Sequence, residues 1–313
     1  MNPPAAAQPP FLAIGVDVGG TKIAAAVVTF PEGTVHGRRV IPTLPHRGGA
    51  AVLADVERLT AELAAGSRAE GRPVDGIGVG VCEIVNNSGH IASANCIKWP
   101  GALVSERLAP IAPTVIEADV RAAARAEALF GAGRNARVFL YISIGTGISS
   151  CLVIDGQPFT GARGATGTMA SGPLPGFHEH GPQKVSPTLE SIASGPALVS
   201  RFNALHGTAE SGPDVLAAAA AGNQNAANIV RSAGESLGGS IGWLINVLDP
   251  ELVILGGGLG LCEGLYRQAL IDSARRHIWW DGHRELPIVS AITAADAGFI
   301  GAAAIAWKKY SGT

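Results

Sequence analysis

Cysteine and long apolar runs are scarce in this chain of 313 residues. Four cysteines occur, at Cys82, Cys96, Cys151 and Cys262, each among apolar residues. We expect them to be buried thiols rather than disulfides or metal ligands. No stretch approaches the roughly 20 uninterrupted apolar residues of a membrane helix, so no membrane partner is expected. No basic segment precedes an apolar one at the N-terminus, which predicts no signal peptide and a cytoplasmic location.

Charge is scarce as well, and neither sign dominates. The 23 lysines and arginines face 25 aspartates and glutamates, giving a formal net charge of −2. A broad basic surface is therefore not expected, which argues against nucleic acid as a partner. Residues 1–10 contain four prolines and no charge, a composition typical of a disordered tail.

Strand-like and helix-like segments alternate along the rest of the chain. The strand-like runs are 13–18, 23–28, 76–81, 114–116, 138–144, 149–154 and 252–255. The helix-like runs are 50–65, 120–129, 187–205, 214–221, 226–247 and 265–276. This alternation predicts the α/β class, and the length suggests about two domains.

The first candidate site is a glycine turn between two strands. Asp17 ends an apolar run, Gly19 and Gly20 follow it, and Thr21 and Lys22 come next. Glycines permit unusual turn angles and let main-chain N–H groups approach an anion. A carboxylate suits a hydrated magnesium ion, so Asp17 is predicted to hold Mg²⁺ through water. The alternative is a glycine hairpin without a ligand.

A second glycine turn occurs in the same strand–turn–strand setting. Gly145, Thr146 and Gly147 separate the runs 138–144 and 149–154. The repetition suggests a duplicated core with one hairpin in each half, both facing a shared cleft. A nucleotide held across such a cleft would have its phosphates bound from both sides.

A third glycine cluster, Gly256, Gly257 and Gly258, follows the apolar run 252–255. Glycines after a buried strand often make room for a ligand at its carboxyl end. An adenosine would lie there against bare backbone; the alternative is an ordinary loop. Near the C-terminus, residues 297–304 open a helix of small residues that could pack tightly on the first domain.

The candidate catalytic residue is Asp119, between the strand-like run 114–116 and the helix-like run 120–129. At a helix N-terminus the dipole and the unpaired N–H groups favour an ionised carboxylate. Such a carboxylate could take a proton from an alcohol. Phosphoryl transfer needs little else besides bound phosphates and Mg²⁺. The alternative is that Asp119 serves only as a helix cap.

Taken together, these motifs resemble the ROK kinases and repressors from about residue 11 to residue 307. The matching pieces are 17–22, 76–80, 129–133, 144–148, 161–164, 189–195, 255–258 and 297–303. The resemblance implies the two-domain sugar kinase/actin-like ATPase (ribonuclease H-like) fold. The small domain would comprise 11–117 with 297–313, and the large domain 118–296. It also implies that the first two glycine turns hold ATP phosphates, that the third borders the adenosine, that Asp119 is the base, and that the protein is a homodimer.

The chain departs from the family where the family binds its sugar. Ala118 and Arg121 stand where family kinases have asparagines flanking the catalytic aspartate. Residues 168–171, Thr-Met-Ala-Ser, replace the family's Glu-x-Gly-His. The cysteine-rich zinc segment is absent between 171 and 189. His178 and His180 are two candidate ligands there, or surface histidines, and no zinc site is predicted.

Five further residues are candidates for a place in or near the substrate site. Glu190 matches a family glutamate that binds a sugar hydroxyl, or it is a helix residue in a capping turn. Asn95 lies in the loop that binds sugar hydroxyls in the family. Glu83 replaces a family glycine and is expected to face the substrate. Arg121 would neutralise Glu83 or Asp119, or reach an anionic substrate. Trp99 is a pocket wall or a core anchor.

The sequence therefore predicts an ATP- and Mg²⁺-dependent kinase that phosphorylates a hydroxyl of a hexose, an amino sugar or a cyclitol. The alternative is a non-catalytic ROK-fold protein that senses a ligand, which the altered sugar motifs favour. A DNA-binding repressor would need a helix-turn-helix ahead of the core. About ten residues precede the core, so a repressor is not expected.

Overall fold

The computed structural model describes residues 9–100, 103–172 and 187–312. The chain divides into two compact units. Unit 1 comprises Met1–Ala126, Ala162–Gly164 and Asp296–Thr313, and unit 2 comprises Glu127–Gly161 and Ala165–Ala295. The division falls later than the 117/118 boundary suggested by the sequence, so that Asp119 belongs to unit 1. Most of the tail at 1–10 and the histidines His178 and His180 lie outside the described residues.

The strands and helices alternate as the α/β class requires. The strands are β1 (Phe11–Val18), β2 (Lys22–Phe30), β3 (Thr34–Pro42), β4 (Gly76–Val81), β5 (Thr114–Ala118), β6 (Val138–Ile144), β7 (Ile148–Ile154), β8 (Gln157–Pro158), β9 (Leu252–Gly256) and β10 (Ile288–Ser290). The α-helices are α1 (Gly49–Ala69), α2 (Leu103–Leu108), α3 (Asp119–Phe130), α4 (Glu190–Ala193), α5 (Gly195–Asn203), α6 (Gly212–Ala220), α7 (Gln224–Leu248), α8 (Gly257–Gly260), α9 (Leu265–His277) and α10 (Ala297–Tyr310). Short 3₁₀ turns occur at Pro45–Arg47, Asp281–His283 and Ala294–Asp296.

Unit 1 contains a mixed sheet with the order β3-β2-β1-β4-β5. Strands β1, β2 and β3 form an antiparallel meander, while β4 and β5 run parallel to β1. One face carries Ile14, Val16 and Val79 into a core shared with α1. The other face meets α10 so closely that a Cβ at Gly78 would lie 1.8 Å from the carbonyl oxygen of Ala302. Helices therefore cover both faces, which explains the nearly continuous apolar runs of β1 and β4.

Unit 2 repeats this arrangement, with the order β10-β9-β6-β7-β8. Strands β6, β7 and β8 are antiparallel, and β9 and β10 run parallel to β6. Its core joins strands β6 and β9 to the long helices α7 and α9 through residues such as Leu140, Val253, Leu237 and Leu270. None of the described helices is both long and apolar enough to cross a membrane.

The predicted α/β class is confirmed, and the differences from the predicted elements have local causes. Strand β3 went unpredicted because it is an exposed edge strand without an apolar pattern, and β10 because it has only three residues. The helix predicted over 187–205 breaks at Ser194. The Ser194 hydroxyl there caps α5 by accepting the N–H of Ala197 at 3.3 Å.

Candidate active site

The carboxyl edge of the sheet in unit 1 brings two predicted site residues together. Asp17 in β1 lies in register with Gly80 in β4, and Gly80 with Glu117 in β5. Strand β5 ends at Ala118, and Asp119 begins α3 at once. Because β1, β4 and β5 are parallel, their carboxyl ends share one edge. Because Gly80 is a glycine, no side chain stands between Asp17 and Glu117 in this register.

The surroundings of Asp119 disfavour the ionised form of its carboxyl group. Its side chain is only partly exposed, and burial together with the nearby charge of Asp17 raises its pKa to about 7. The backbone N–H of Val120 donates to Oδ1 at 2.6 Å, which opposes the rise and fixes the orientation of the carboxyl group. Burial and the neighbouring acid thus make Asp119 a stronger base than an exposed aspartate.

Asp17 is its partner in this acidic pair. Burial raises the pKa of Asp17 to about 6, and the charge of Lys22 opposes the shift. The room for this carboxylate comes from α10, where a Cβ at Gly298 would lie 2.3 Å from Cγ of Asp17. The glycine near the C-terminus thus serves the acidic site, a role that its small-residue helix did not reveal in the sequence.

Three hydrogen bonds fix the turn between β1 and β2. The N–H of Gly19 donates to the carbonyl oxygen of Lys22 at 3.0 Å. The Thr43 hydroxyl donates to the carbonyl of Gly19 at 2.7 Å, and its N–H to that of Thr21 at 3.0 Å. Thr43 is fully buried, whereas Thr21 and Lys22 are exposed. Sequence reasoning missed Thr43 because it is distant in the chain and belongs to no motif.

The other two glycine segments meet within unit 2. Ser143 in β6 lies in register with Gly256 in β9, so both turns follow from the same sheet edge. Gly257 has a φ of +78°, and a Cβ there would lie 2.4 Å from the carbonyl oxygen of Ile144. A Cβ at Gly258 would meet nothing within 4 Å. The edge offers main chain next to open space, with no acidic side chain in either turn.

Helix α5 starts beside the turn between β6 and β7. The N–H of Gly195 donates to the carbonyl oxygen of Gly145 at 2.9 Å, and the N–H of Gly145 donates to the carbonyl of Gly147 at 2.9 Å. The turn is therefore closed on itself and tied to the start of a helix. This preorganises its backbone, as an anion site on main-chain groups requires.

Glu190 begins α4 and reaches the β6–β7 hairpin. Its Oε2 accepts the N–H of Ile148 at 2.8 Å. The capping turn considered in the sequence also exists, since Thr188 accepts the N–H of Ser191 at 3.1 Å. Both features coexist, and contact of Glu190 with a substrate stays a prediction. Of the residues that replace the family's sugar motif, Thr168 and Ser171 are exposed.

Arg121 does not have the partner that the sequence suggested. It was expected to neutralise Glu83 or Asp119, or to reach an anionic substrate. Its guanidinium instead forms an ion pair with Glu117, four residues before it in β5, and its side chain is only 4% exposed. The expectation was wrong because the strand residue Glu117 was not recognised as a neighbour of α3.

The remaining donors of Arg121 hold two loops. They bind the carbonyl oxygens of Gly164 and Val85, each at 2.7 Å. These bonds and the ion pair explain how a guanidinium tolerates this burial. Because Glu117 and Arg121 bracket Asp119 in the sequence, the ion pair also fixes the strand–helix junction that carries the carboxylate.

Glu83 also differs from its expected position facing a substrate. The side chain is 4% exposed, and its carboxylate accepts hydrogen bonds from the loop that contains Asn95. Asn95 itself is exposed. Trp99, at the end of the same loop, is partly buried against the core of unit 1, as the core-anchor alternative predicted.

The cysteines are thiols, as expected, but they are not all buried. Cys151 is buried, Cys82 and Cys262 are partly exposed, and Cys96 is exposed. A hydrogen bond with Cys96, followed by burial, raises the pKa of Cys82. Among the described residues, no group of three or more histidine, cysteine or acidic side chains has the geometry of a metal site.

Comparison with known proteins identifies the family of this chain. The model of the ROK family matches residues 13–309. The N-acetylmannosamine kinase of Vibrio vulnificus is 31% identical over 277 residues, covering 83% of this chain and 87% of that enzyme. The bifunctional enzyme NanE/NanK of Brucella melitensis is 30% identical over 312 residues, 98% of this chain. The chain spans only 56% of that relative.

Solved structures share the fold over nearly the whole chain. A ROK family glucokinase from Streptomyces griseus, in complex with glucose and AMPPNP, matches with a TM-score of 0.80 at 27% identity. The match covers 95% of this chain and 99% of that one. The resemblance drawn from the sequence motifs is confirmed, as is the sugar kinase/actin-like fold. The chain belongs to the ROK family.

Proposed function

We propose that this chain is an ATP- and Mg²⁺-dependent kinase that phosphorylates a hydroxyl group of a sugar or sugar-like polyol. The observation that carries the proposal is the state of Asp119. It is a partly exposed carboxylate at the start of a helix, with a pKa raised to about 7 by burial and by Asp17. A residue that served only as a helix cap would gain nothing from a neighbouring acid that opposes its ionisation.

Asp119 is the general base in this proposal. A base works best when its pKa lies near the operating pH, because it is then ionised yet basic enough to hold the transferred proton. The N–H of Val120 orients Oδ1, and the second carboxylate oxygen is left to accept the proton of the attacking hydroxyl. The start of α3 stabilises the charge until that proton arrives.

The nucleotide is assigned to the glycine turns of each unit. In unit 1 the phosphate-binding residues are Asp17, Gly19, Gly20, Thr21 and Lys22. In unit 2 the nucleotide-binding residues are Gly145, Thr146, Gly147, Gly256, Gly257 and Gly258. The support is that these backbones are preorganised and, at Gly258, open to a ligand. Main-chain N–H groups and a lysine suit phosphates.

The donor set of unit 1 fits a magnesium ion held through water by Asp17. Two carboxylates with raised pKa values lie together, and a hard divalent cation is the ligand that such oxygens favour. When bound, Mg²⁺ would neutralise charge on the transferred phosphoryl group. Lys22 contributes positive charge to the same turn, and Asp17 would hold the ion through water.

The acceptor is a hexose, an amino sugar or a cyclitol, and Asn95 of unit 1 and Glu190 of unit 2 are the residues proposed to bind it. The relatives named above support a sugar, since one is an N-acetylmannosamine kinase and another is a glucokinase in complex with glucose. Exposed Thr168 and Ser171 replace two ionisable sugar ligands of the family. A pocket with a different set of hydrogen-bonding groups discriminates strongly between hydroxyl patterns, so glucose is not assumed to be the substrate.

The test is an acceptor panel. Release of ADP is measured with ATP and Mg²⁺ in the presence of hexoses, N-acetylated and free amino sugars, and cyclitols. We expect at least one acceptor to give turnover well above the ATP hydrolysis seen without acceptor. Mass spectrometry of the product identifies the phosphorylated hydroxyl. Turnover with none of these acceptors would refute the proposal.

The same panel separates the kinase from a non-catalytic ligand sensor, which the loss of the family's sugar motif at 168–171 favours. Isothermal titration calorimetry measures the binding of each acceptor with and without the non-hydrolysable nucleotide AMPPNP. A sugar that binds tightly but is never phosphorylated would favour the sensor. A sugar that binds and is phosphorylated favours the kinase.

A further inference from the structure

The carboxylate of Glu83 is buried and accepts four hydrogen bonds. The Ser93 hydroxyl donates to Oε2. The backbone N–H of Asn95 donates to Oε2 at 2.9 Å, and those of Cys96 and Ile97 donate to Oε1 at 2.7 and 2.8 Å. Every donor therefore comes from one stretch of five residues, 93–97, which we term the anchored loop.

The energetics make Glu83 the determinant of the conformation of this loop. A carboxylate that is 4% exposed is strongly destabilising unless donors compensate for its lost hydration. Here three backbone N–H groups and a hydroxyl provide that compensation, and the loop conversely depends on a single acceptor for three of its amides. Neither partner is stable in this arrangement without the other.

The base of the loop is closed by a second set of bonds. Ser93 Oγ accepts the N–H of Ile84 at 2.9 Å while it donates to Glu83. The N–H of Ala92 donates to the carbonyl oxygen of Ile84 at 2.7 Å. The loop is therefore fixed on its inner side, although Asn95 and Cys96 expose their side chains.

The anchored loop starts from the edge of the sheet that carries the candidate base. Glu83 lies two residues after Val81, the last residue of β4, and Val81 lies in register with Ala118, the residue before Asp119. Burial and the charge of Asp17 are the main causes of the raised pKa of Asp119, and Cys96 in this loop adds a smaller electrostatic contribution. The loop therefore holds Asn95 in the neighbourhood of the carboxylate.

We propose that Glu83 is a positioning residue that sets the acceptor-binding conformation of the loop, so that Asn95 and not Glu83 contacts the substrate. This inference rests on the proposed kinase function for the meaning of acceptor binding. It replaces the expectation that Glu83 contacts the substrate directly, because its two oxygens are already occupied by the protein. It also assigns a role to a residue where the sequence departs from the family.

The test compares two glutamates with the same chemistry. Glu127 is fully buried and likewise accepts four hydrogen bonds, from the N–H groups of Ala132, Ile292 and Thr293 and from the Thr293 hydroxyl. It holds a loop in unit 2 that has no predicted substrate residue. Glu83→Gln and Glu127→Gln each replace two acceptor oxygens with one, so they form a matched pair.

The first readout is amide hydrogen exchange, which needs no turnover. In the wild type we expect the amides of Asn95, Cys96 and Ile97 to be protected despite their position in an exposed loop. Glu83→Gln should weaken this protection, most at the amides that lose their acceptor oxygen, while Glu127→Gln should leave it intact. Ser93→Ala removes one donor and serves as a milder variant if Glu83→Gln does not fold. Retained protection in both Glu83→Gln and Ser93→Ala would overturn the proposal.

The second readout is the split between the two KM values. Glu83→Gln should raise the acceptor KM about tenfold or more and leave the ATP KM within about twofold, because only acceptor contacts depend on the loop. Asn95→Ala should do the same, and the double variant should be little worse than either single one. An unchanged acceptor KM in Glu83→Gln would overturn the proposal.

A third comparison distinguishes positioning from direct contact. If Glu83 paired with an amine on the substrate, Glu83→Gln would weaken binding of a free amino sugar far more than of the neutral sugar. We expect equal weakening, and a selective loss for the amine would overturn the proposal. Failure of the wild type to phosphorylate any sugar would refute the kinase function instead. The same comparisons then use affinities from calorimetry in place of KM.

Discussion

The two units carry the same sheet but different chemistry at its carboxyl edge. In each, three antiparallel strands are followed by two strands parallel to the first. Asp17 is the second-last residue of β1, and Ser143 is the second-last residue of β6. Each lies in register with a glycine of the neighbouring parallel strand, Gly80 in unit 1 and Gly256 in unit 2.

The difference between Asp17 and Ser143 shows which task each edge can perform. Both edges present glycine turns, so both can offer main-chain groups to an anion. The unit 1 edge also holds two acids with raised pKa values, which suit a cation and a proton-accepting role. The described part of the unit 2 edge has no acid in its two turns, and the carboxylate that reaches it, Glu190, accepts the N–H of Ile148. Repetition of the fold thus provides the backbone, and the acids in unit 1 provide the reactivity.

The largest effect is expected when the proposed base is removed from the unit 1 edge. Asp119→Asn keeps the size and the cap position but cannot accept a proton at neutral pH. We expect the variant to fold and to lose turnover by about 10²- to 10⁴-fold, the range typical of a general base. Steady-state ADP release and single-turnover phosphorylation of the acceptor measure the loss.

The matched control is Asp214→Asn in α6. Asp214 also lies in the first turn of a helix, where it accepts the hydroxyl and the N–H of Ser211 in a capping box. Its substitution should lower stability by about 1 kcal/mol and leave turnover unchanged. If Asp119→Asn behaved like Asp214→Asn, then Asp119 would be a cap and not a base.

The sequence predicted the elements of both edges better than their contacts. The runs 76–81 and 138–144 coincide with β4 and β6, because buried parallel strands are continuously apolar. The glycine turns were recognisable from their spacing. What stayed hidden depends on tertiary pairing. Thr43 reaches the first turn from the end of β3, and Glu117 joins Arg121 across a strand–helix junction, contacts that no local pattern reports.

Glu83 shows most clearly what the sequence alone could not predict. The sequence marked it as a departure from the family, and a carboxylate in a substrate loop is a reasonable candidate for a ligand. Its role depends on where three amides ten or more residues later fold back onto it. Such donors are backbone groups, which every residue except proline carries, so their convergence leaves no sequence signal.

A second prediction concerns Asp17→Ser, which gives the unit 1 edge the residue type that unit 2 has at Ser143. Because the pKa of Asp17 rises from 3.8 to about 6 on folding, the folded state binds its proton more tightly. The stability that this proton provides is present below about pH 4 and is lost as the pH rises through about 6. Asp17→Ser should reduce the loss of stability between pH 4 and pH 8 by up to about 3 kcal/mol.

Urea denaturation at a series of pH values measures this effect. The difference between two pH values is used because the effect of the substitution on packing is the same at every pH. Ser143→Ala in unit 2 is the control, and it should leave the pH dependence as it is in the wild type. A wild-type stability that rises between pH 4 and pH 8, unaffected by Asp17→Ser, would contradict the proposed acidic pair.

The smallest effect is expected inside the unit 2 edge, where two adjacent glycines have different environments. Gly257→Ala places a Cβ at a φ of +78° and 2.4 Å from the carbonyl oxygen of Ile144, so it should cost about 1 to 3 kcal/mol of stability. Gly258→Ala meets open space and should change stability by less than about 0.5 kcal/mol. Its methyl group would nevertheless occupy the space assigned to the nucleotide, so the ATP KM should rise while the acceptor KM stays constant. An unchanged ATP KM in Gly258→Ala would mean that the open side of this turn is not where the nucleotide binds.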